Sequence, residues 1–239
     1  MNQRKKGVIL SYLYIVVKLI VGLLFVPVLL NYLDDSEYGL YQLMGSLVSY
    51  LAVMDFGLSA TTVRYYSMAY VKNNKEEAEN VLGTANRLYL LISIITLVIC
   101  IGILLMIDSI FSASLTSKEL SEAKKIFLVL SINIVITLLT NVYIAVLNSH
   151  ERFVFLKMVD IFNTISQIVF VFVAMRISRT ALSVVIMLLI INIISSLGKI
   201  VYCKLKLKIR VKFHYYDKRL VKSMLTFSTS VFVVSIVDM

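Results

Sequence analysis

Long apolar runs alternate with short polar connections along the whole chain. Six runs reach the length of about 20 residues that a helix needs to cross a hydrocarbon layer of about 30 Å. They cover residues 8–33, 38–65, 82–107, 126–147, 153–175 and 180–202, and a seventh begins near Met224. Backbone groups in lipid need internal hydrogen-bond partners, so uninterrupted runs predict helices, whereas a barrel shows alternating segments of about ten residues.

The pattern predicts an all-α integral membrane protein, with a six-helix transmembrane bundle in residues 1–203. A basic linker follows at 204–222, where Lys and Arg alternate with apolar residues. Within it, residues 215–224 have the composition of a short amphipathic helix on the membrane surface. We expect residues 223–239 to begin a seventh transmembrane helix and a truncated second lobe.

The distribution of basic residues predicts the orientation of the bundle. Of 24 Lys and Arg residues, 18 lie in the N-terminal tail and in the second, fourth and sixth connections, whereas five lie on the opposite side. The positive-inside rule therefore places the N-terminus in the cytoplasm. The formal charge of +10 sits mainly in connections of a chain that is 59% hydrophobic, which argues against a nucleic-acid partner.

Lys18 is a charged residue near the middle of the first apolar run. A charge at that depth costs roughly 2.5–3.5 kcal/mol on insertion scales. One interpretation is that Lys18 projects into a hydrated cavity and binds an anionic group such as a phosphate. The other is that it snorkels to the interface or pairs with a carboxylate on a neighbouring helix. Its central depth disfavours snorkelling, so we favour the cavity.

Three further charged residues lie toward the cytoplasmic side of the bundle. Asp55 is in the second predicted helix, and Arg64 and Arg87 lie at the same level on the second and third. Asp55 is a candidate either for an ion pair with one of these arginines or for proton or sodium coupling. Both arginines are candidates for a substrate cavity.

Polar residues at helical spacing form a stripe on each of the last three helices of the bundle. The stripes are Asn133, Thr137, Asn141 and Asn148; Asp160, Asn163 and Gln167; and Asn192, Ser195, Ser196 and Lys199. Hydrogen bonding between helices explains such stripes without transport, but several stripes in one bundle also fit a hydrated interior. We take Asn133, Asn141, Asn163 and Gln167 as candidate cavity residues. Asp160 is a candidate for ion coupling or a structural ion pair.

The sequence carries no catalytic signature and no metal-ligand pattern. It lacks a phosphate-binding loop, an HExxH sequence and a nucleophile elbow. Cys100 and Cys203 have no partner at metal-ligand spacing, and His150 and His214 stand isolated beside the predicted helices. We therefore expect neither enzymatic activity nor a cofactor.

Residues 34–66 read DDSEYGLYQLMGSLVSYLAVMDFGLSATTVRYY and carry the pattern EYGxYxL…S…DFGL…R. This pattern resembles that of bacterial polysaccharide repeat-unit exporters, the oligosaccharide flippases. Residues 145–153, AVLNSHERF, resemble the short fourth connection of the same family. The resemblance covers essentially the whole chain but only about half of such an exporter, which has twelve to fourteen helices in two lobes. The family shares a superfamily with lipid II flippases and with multidrug and toxin extruders.

The resemblance implies movement of an undecaprenyl-diphosphate-linked oligosaccharide from the cytoplasmic to the outer leaflet of the bacterial cytoplasmic membrane. It implies a role in surface polysaccharide biosynthesis, with membrane lipid as the environment and a polysaccharide polymerase and glycosyltransferases as partners. Lys18 matches the family's cations in the first helix, and Asp55 and Arg64 match its second-helix motif. A cationic, polar cavity would screen the diphosphate and hydrogen-bond the sugar.

Two other functions stay open at the level of sequence. A drug or cation antiporter of the same superfamily would favour an acidic cavity, whereas the deep charge at Lys18 is positive. A non-transporting membrane scaffold, which recruits a polysaccharide assembly complex, would fit six helices followed by the start of a seventh.

Overall fold

The computed structural model describes residues 3–237, except for the side chains at positions 4, 52, 175, 177 and 235–237. Helices dominate this part of the chain, and no strand occurs in it. The α-helices are α1 (Gln3–Tyr32), α2 (Asp35–Leu51), α3 (Leu58–Val71), α4 (Lys75–Phe111), α5 (Ser117–Ser149), α6 (Phe153–Ile177), α7 (Ala181–Leu205) and α8 (Lys218–Val237). A short 3-10 helix, Ala52–Asp55, joins α2 to α3.

Six segments within residues 3–237 are helical, long and apolar enough to cross a membrane. The second of them, Asp35–Val71, contains both α2 and α3, so it is one span with a break in its middle. Helix α8 follows the six spans as a seventh helix. The predicted all-α bundle of six transmembrane helices, followed by a further helix, is therefore confirmed.

Successive spans run in opposite directions, so their connections alternate between two ends of the bundle. One end contains the start of α1, the α3–α4 and α5–α6 connections and residues 206–217, and we call it the basic end. At the opposite end, the Glu37 carboxylate accepts the backbone N–H of Ala181 at 2.7 Å, at the start of α7. There the Ser36 hydroxyl also donates to Glu119 of α5 at 2.5 Å. These two residues of the α2 N-terminus thus hold α5 and α7 in place.

Helix α5 lies at the centre of the bundle, where it packs against α2, α3, α4 and α7. Helix α1 packs mainly on α6, which makes it an edge helix, and α8 packs on α3. Two apolar cores form between the helices, one toward each end. The core of the opposite end includes Leu29, Met44, Ile107 and Phe127, and that of the basic end includes Leu58, Leu82, Leu147 and Met224.

A set of polar side chains lies in the middle part of the spans, close to residues of both cores. They belong to the short 3-10 helix and to α4, α5, α6 and α7. We call this set the polar layer. It consists of Asp55, Tyr89, Asn133, Thr137, Asn141, Asn163, Asn192 and Ser195.

The linker differs from its sequence prediction in two ways. Residues 215–217 are not helical, because the backbone N–H groups of His214 and Tyr215 both donate to the side-chain oxygen of Asn80, at 3.1 and 3.2 Å. The last helix begins at Lys218 and continues without a break to Val237, so the predicted boundary at residue 223 falls inside α8. The amphipathic helix expected at 215–224 is therefore wrong as a separate element.

Candidate functional site

Asp55 is the centre of a hydrogen-bond network in the polar layer. Its Oδ1 accepts the Tyr89 hydroxyl of α4 and the Asn141 amide of α5, each at 3.0 Å. Its Oδ2 accepts the backbone N–H of Ser59 at 3.2 Å. That N–H belongs to the first turn of α3, where no preceding helical carbonyl is available. Asp55 therefore caps α3 and joins it to α4 and α5.

The break beside Asp55 forms the contact surface for α8. Phe56 and Gly57 both have left-handed backbones, with φ of 47° and 71°. A Cβ on Gly57 would lie 2.9 Å from the Ser228 carbonyl oxygen, so only glycine allows α8 to approach this closely. The Ser228 hydroxyl donates to the freed carbonyl of Phe56, and the Phe56 and Phe232 rings meet edge to face at 5.1 Å.

The two candidate arginines contact aromatic rings at the basic end. The Arg64 guanidinium lies 4.2 Å from the centre of the Phe227 ring in α8, and that of Arg87 lies 3.4 Å from the centre of the Phe213 ring in the linker. These cation–π contacts attach α8 and the linker to the six-helix bundle. Within residues 3–237 Asp55 forms no ion pair, so the pairing with Arg64 or Arg87 that the sequence suggested is not found.

The asparagines of the polar stripes join neighbouring helices. The Asn192 amide of α7 donates to Asn133 Oδ1 at 2.6 Å and to the Thr137 hydroxyl at 3.0 Å, both on α5. The Ser195 hydroxyl of α7 donates to Asn163 Oδ1 on α6. Together with the Asn141 contact to Asp55, these bonds give three of the four candidate amides an interhelical partner.

Asp160 forms a structural ion pair at the junction of α1 and α6. Its Oδ2 lies 3.1 Å from Lys157 Nζ, one turn earlier on α6. Lys157 Nζ also lies 4.8 Å from the centre of the Tyr14 ring of α1. Of the two roles considered for Asp160, the structure thus contains the ion pair.

Lys18 and Gln167 are the two remaining cavity candidates. Lys18 lies near the middle of the 30-residue α1, its side chain is exposed, and it forms no ion pair within the described part of the chain. Gln167 is half-buried on α6, the helix against which α1 packs. Lys18 is therefore an exposed cation near the middle of α1, the helix at the edge of the bundle, and has no ion-pair partner in the described part of the chain.

The basic end contains a cavity of about 410 Å³ that the sequence did not predict. Its walls come from the end of α3, the start of α4, His150 and residues 207–210. His150 Nε2 lies 2.9 Å from the Tyr66 hydroxyl, and its ring centre lies 4.2 Å from that of Tyr70. Burial and the neighbouring charge of Arg152 lower the pKa of His150 below its ordinary value of 6.5.

His214 also forms a side-chain contact at the basic end. Its Nε2 lies 2.9 Å from Glu79 Oε2, and Glu79 is a wall residue of the same cavity. Neither His150 nor His214 is isolated, contrary to the sequence expectation. The sequence could not reveal this because Glu79 and His214 are 135 positions apart and Tyr66 and His150 are 84 apart.

Comparison with sequence families identifies the chain. The family described as "Polysaccharide biosynthesis protein" matches residues 5–238. The chain belongs to this family. A comparison with curated proteins found no match.

Solved structures show which fold this polysaccharide biosynthesis family member shares. A MATE transporter in complex with MaD3S superposes with a TM-score of 0.78 at 18% identity, over 98% of this chain and 54% of the MATE chain. A multidrug resistance MATE family transporter of the MOP superfamily in an outward-facing conformation gives 0.74 at 18% identity, over 98% and 53%. A MOP superfamily transporter from Pyrococcus furiosus, described as having a binding pocket of reverse polarity, gives the same values. The chain thus spans about half the length of the transporters whose fold it shares.

The predicted site residues of this family member fall into three groups. Asp55, Asn133, Asn141 and Asn163 belong to the polar layer, and Arg64 and Arg87 lie at the basic end. Lys18, Gln167 and Asp160 lie on α1 and α6. None of these nine residues lines the cavity at the basic end. The sequence did not indicate that Tyr89 is a partner of Asp55. It did offer a signal for the partner of Asp160, because Lys157 lies three residues earlier on the same helix, but that signal was overlooked.

Proposed function

We propose that this chain forms the first lobe of an exporter in the bacterial cytoplasmic membrane, with its N-terminus in the cytoplasm. The cargo would be an undecaprenyl-diphosphate-linked oligosaccharide unit, moved from the inner to the outer leaflet for surface polysaccharide biosynthesis. A polymerase and glycosyltransferases would act before and after this step. The proposal is supported by the family match and by a fold that covers about half of the chain of similar solved transporters.

Lys18 is the observation that carries the proposal. A lone cation in the middle of an apolar helix costs roughly 2.5–3.5 kcal/mol on insertion scales, and no carboxylate within residues 3–237 offsets that cost. If a second lobe faced this side of α1, Lys18 would line the space between the lobes. A diphosphate group entering that space would gain a charge-assisted contact with it. No covalent step is needed for such movement.

The proposal is tested by replacing Lys18 in the complete gene product and measuring surface polysaccharide in the producing cells. We expect Lys18→Gln to reduce the polysaccharide at least tenfold, because it removes the charge and keeps the length of the side chain. Lys18→Arg should retain most of the polysaccharide. Leu19→Ala is the matched control, since Leu19 is an exposed neighbour on the same turn. Normal polysaccharide in Lys18→Gln, at a normal protein level, would exclude Lys18 as a substrate residue.

A drug or cation antiporter is the second candidate, because the similar solved structures include MATE transporters. That function would need an acidic group free to bind a proton or cation. Asp55 already accepts three hydrogen bonds and Asp160 is paired with Lys157, which makes this function the weaker candidate. Drug resistance on overexpression that is lost in Asp55→Asn would reverse the order of the two candidates.

A further inference from the structure

We propose that the cavity at the basic end binds an anion that carries a phosphate group. The cavity is separate from the polar layer and from Lys18, so its occupation does not depend on the cargo proposed above. Its volume of about 410 Å³ lies within the range of about 300–1,000 Å³ that is typical of small-molecule sites.

The charges on the cavity wall favour an anion. Lys75, Lys208 and Arg210 line the cavity, and none of them forms an ion pair within residues 3–237. The acidic wall residue, Glu79, is hydrogen-bonded to His214 on the linker. The wall thus has three cations without an ion-pair partner and one carboxylate, which is already hydrogen-bonded. Lys and Arg are the side chains that bind phosphate best.

The linker wall of the cavity is held in place by specific contacts, so the site is formed before any ligand binds. The backbone N–H of Ile209 donates to the Cys203 carbonyl at 3.1 Å. Further along, Asn80 accepts two linker N–H groups, and a Cβ on Gly83 would lie only 2.4 Å from the Lys212 carbonyl oxygen. The backbone that carries Lys208 and Arg210 is therefore held on the wall of the cavity that Lys75 also lines, and pre-organisation of this kind lowers the entropy cost of binding.

The position of the cavity allows two sources for the phosphate. The cavity lies where four membrane spans begin or end: Asp35–Val71, Lys75–Phe111, Ser117–Ser149 and Ala181–Leu205. The ends of membrane spans are where a chain meets lipid headgroups and water. The phosphate could belong to the headgroup of an anionic lipid or to a soluble phosphate compound. Both would make the same contacts with the three cations.

Binding to the full chain in phosphatidylcholine nanodiscs tests the proposal. Dioctanoyl phosphatidylglycerol and inorganic pyrophosphate are titrated separately, and heat of binding is recorded by calorimetry. The double variant Lys75→Gln/Arg210→Gln removes two cations from the wall. The matched control Lys204→Gln/Lys206→Gln removes two exposed cations from the same basic region but outside the cavity. Lys75→Arg/Arg210→Lys keeps the charge and checks that substitution at these positions preserves the fold.

We expect at least one probe to bind saturably to the wild-type chain, and about tenfold or more weaker to Lys75→Gln/Arg210→Gln. The control pair and the charge-conserving pair should stay within about twofold of wild type. Preference for phosphatidylglycerol would assign the phosphate to a lipid headgroup, and preference for pyrophosphate to a soluble compound. Absence of saturable binding by both probes, or equal weakening in the two glutamine pairs, would overturn the proposal.

Discussion

Gly83 and Gly102 both lie in α4, but only Gly83 faces another segment. A Cβ on Gly83 would lie 2.4 Å from the Lys212 carbonyl oxygen and 2.8 Å from Phe213 Cα, whereas no other segment of residues 3–237 comes within 4 Å of a Cβ on Gly102. The sequence could not distinguish the two, because close approach of a distant segment leaves no local signal.

We predict that Gly83→Ala lowers the free energy of unfolding by about 1–3 kcal/mol, since the linker must move away from α4. Gly102→Ala should be neutral or slightly stabilising, because alanine has the higher helix propensity by about 1 kcal/mol. Thermal unfolding of the purified proteins in detergent measures both. Equal stability of the two variants would show that the linker does not pack against Gly83.

His150 makes the stability of the basic end depend on pH. Its pKa is lowered in the folded chain by burial and by Arg152, so the fold favours the neutral imidazole beside Tyr66 and Tyr70. Below the ordinary value of 6.5 the unfolded chain binds more protons at this position than the folded chain does. This contribution to stability is therefore complete above that pH and is lost as the pH falls below it.

We predict that the unfolding temperature falls between pH 7.5 and pH 5, and that His150→Gln makes this fall smaller. Glutamine can retain a hydrogen bond to Tyr66 but cannot take up a proton. The comparison is made by thermal unfolding across the pH range in one detergent. A wild-type curve and a His150→Gln curve of the same shape would contradict a role for His150.

At the scale of elements, Asp55 connects three helices across the break in the second span. Asp55→Ala would leave the Tyr89 hydroxyl, the Asn141 amide and the Ser59 N–H without their acceptor. We predict a loss of about 2–4 kcal/mol in the free energy of unfolding, because each unpaired buried donor costs about 1–3 kcal/mol and some will find other partners.

The matched variant for this network is Tyr89→Phe, which removes one donor and leaves the carboxylate in place. It should cost about 1 kcal/mol. Stability is again measured by thermal unfolding, and any transport assay of the complete protein can be run on the same variants. If Asp55→Ala left stability unchanged but abolished ion-dependent transport, Asp55 would be a coupling residue and not a structural one.

The helices themselves were predictable because the apolar runs are long and the cost of exposed backbone in lipid leaves no other structure. The break at Phe56 and Gly57 was not predicted, since the apolar run continues through it and a single glycine is common in membrane helices. A linker was predicted at 204–222, but its contacts with α4 were not, for a different reason. It is held by Asn80 and Gly83, which lie more than a hundred positions earlier.

The candidate site was predicted less well than the fold. Residue type and depth made Lys18, Asp55 and the three interhelical asparagines candidates, because polar groups in lipid are costly and therefore stand out. Their place in a transport site stays a prediction. Their partners depend on which helices are neighbours, and periodicity alone does not supply that. The alternative reading of the polar stripes, hydrogen bonding between helices, holds for Asn133, Asn141 and Asn163.

At the scale of the whole molecule, the described helices form a lobe whose edge helix α1 exposes a cation. The chain spans 53–54% of the transporters that share its fold. Helix α8 docks at the break in the second span through Ser228 and Phe232. If the proposed second lobe follows α8, movement of that lobe would act directly on the break and on Asp55 beside it.

Direct transport by the complete gene product tests the central claim most directly. The protein is reconstituted into liposomes, and the transfer of a fluorescent undecaprenyl-diphosphate-linked oligosaccharide between leaflets is followed by quenching from outside. We predict transfer by the wild-type protein and by Leu19→Ala, and at least a tenfold slower rate for Lys18→Gln. Failure of the wild-type protein to move this lipid, or an unchanged rate in Lys18→Gln, would contradict the claim.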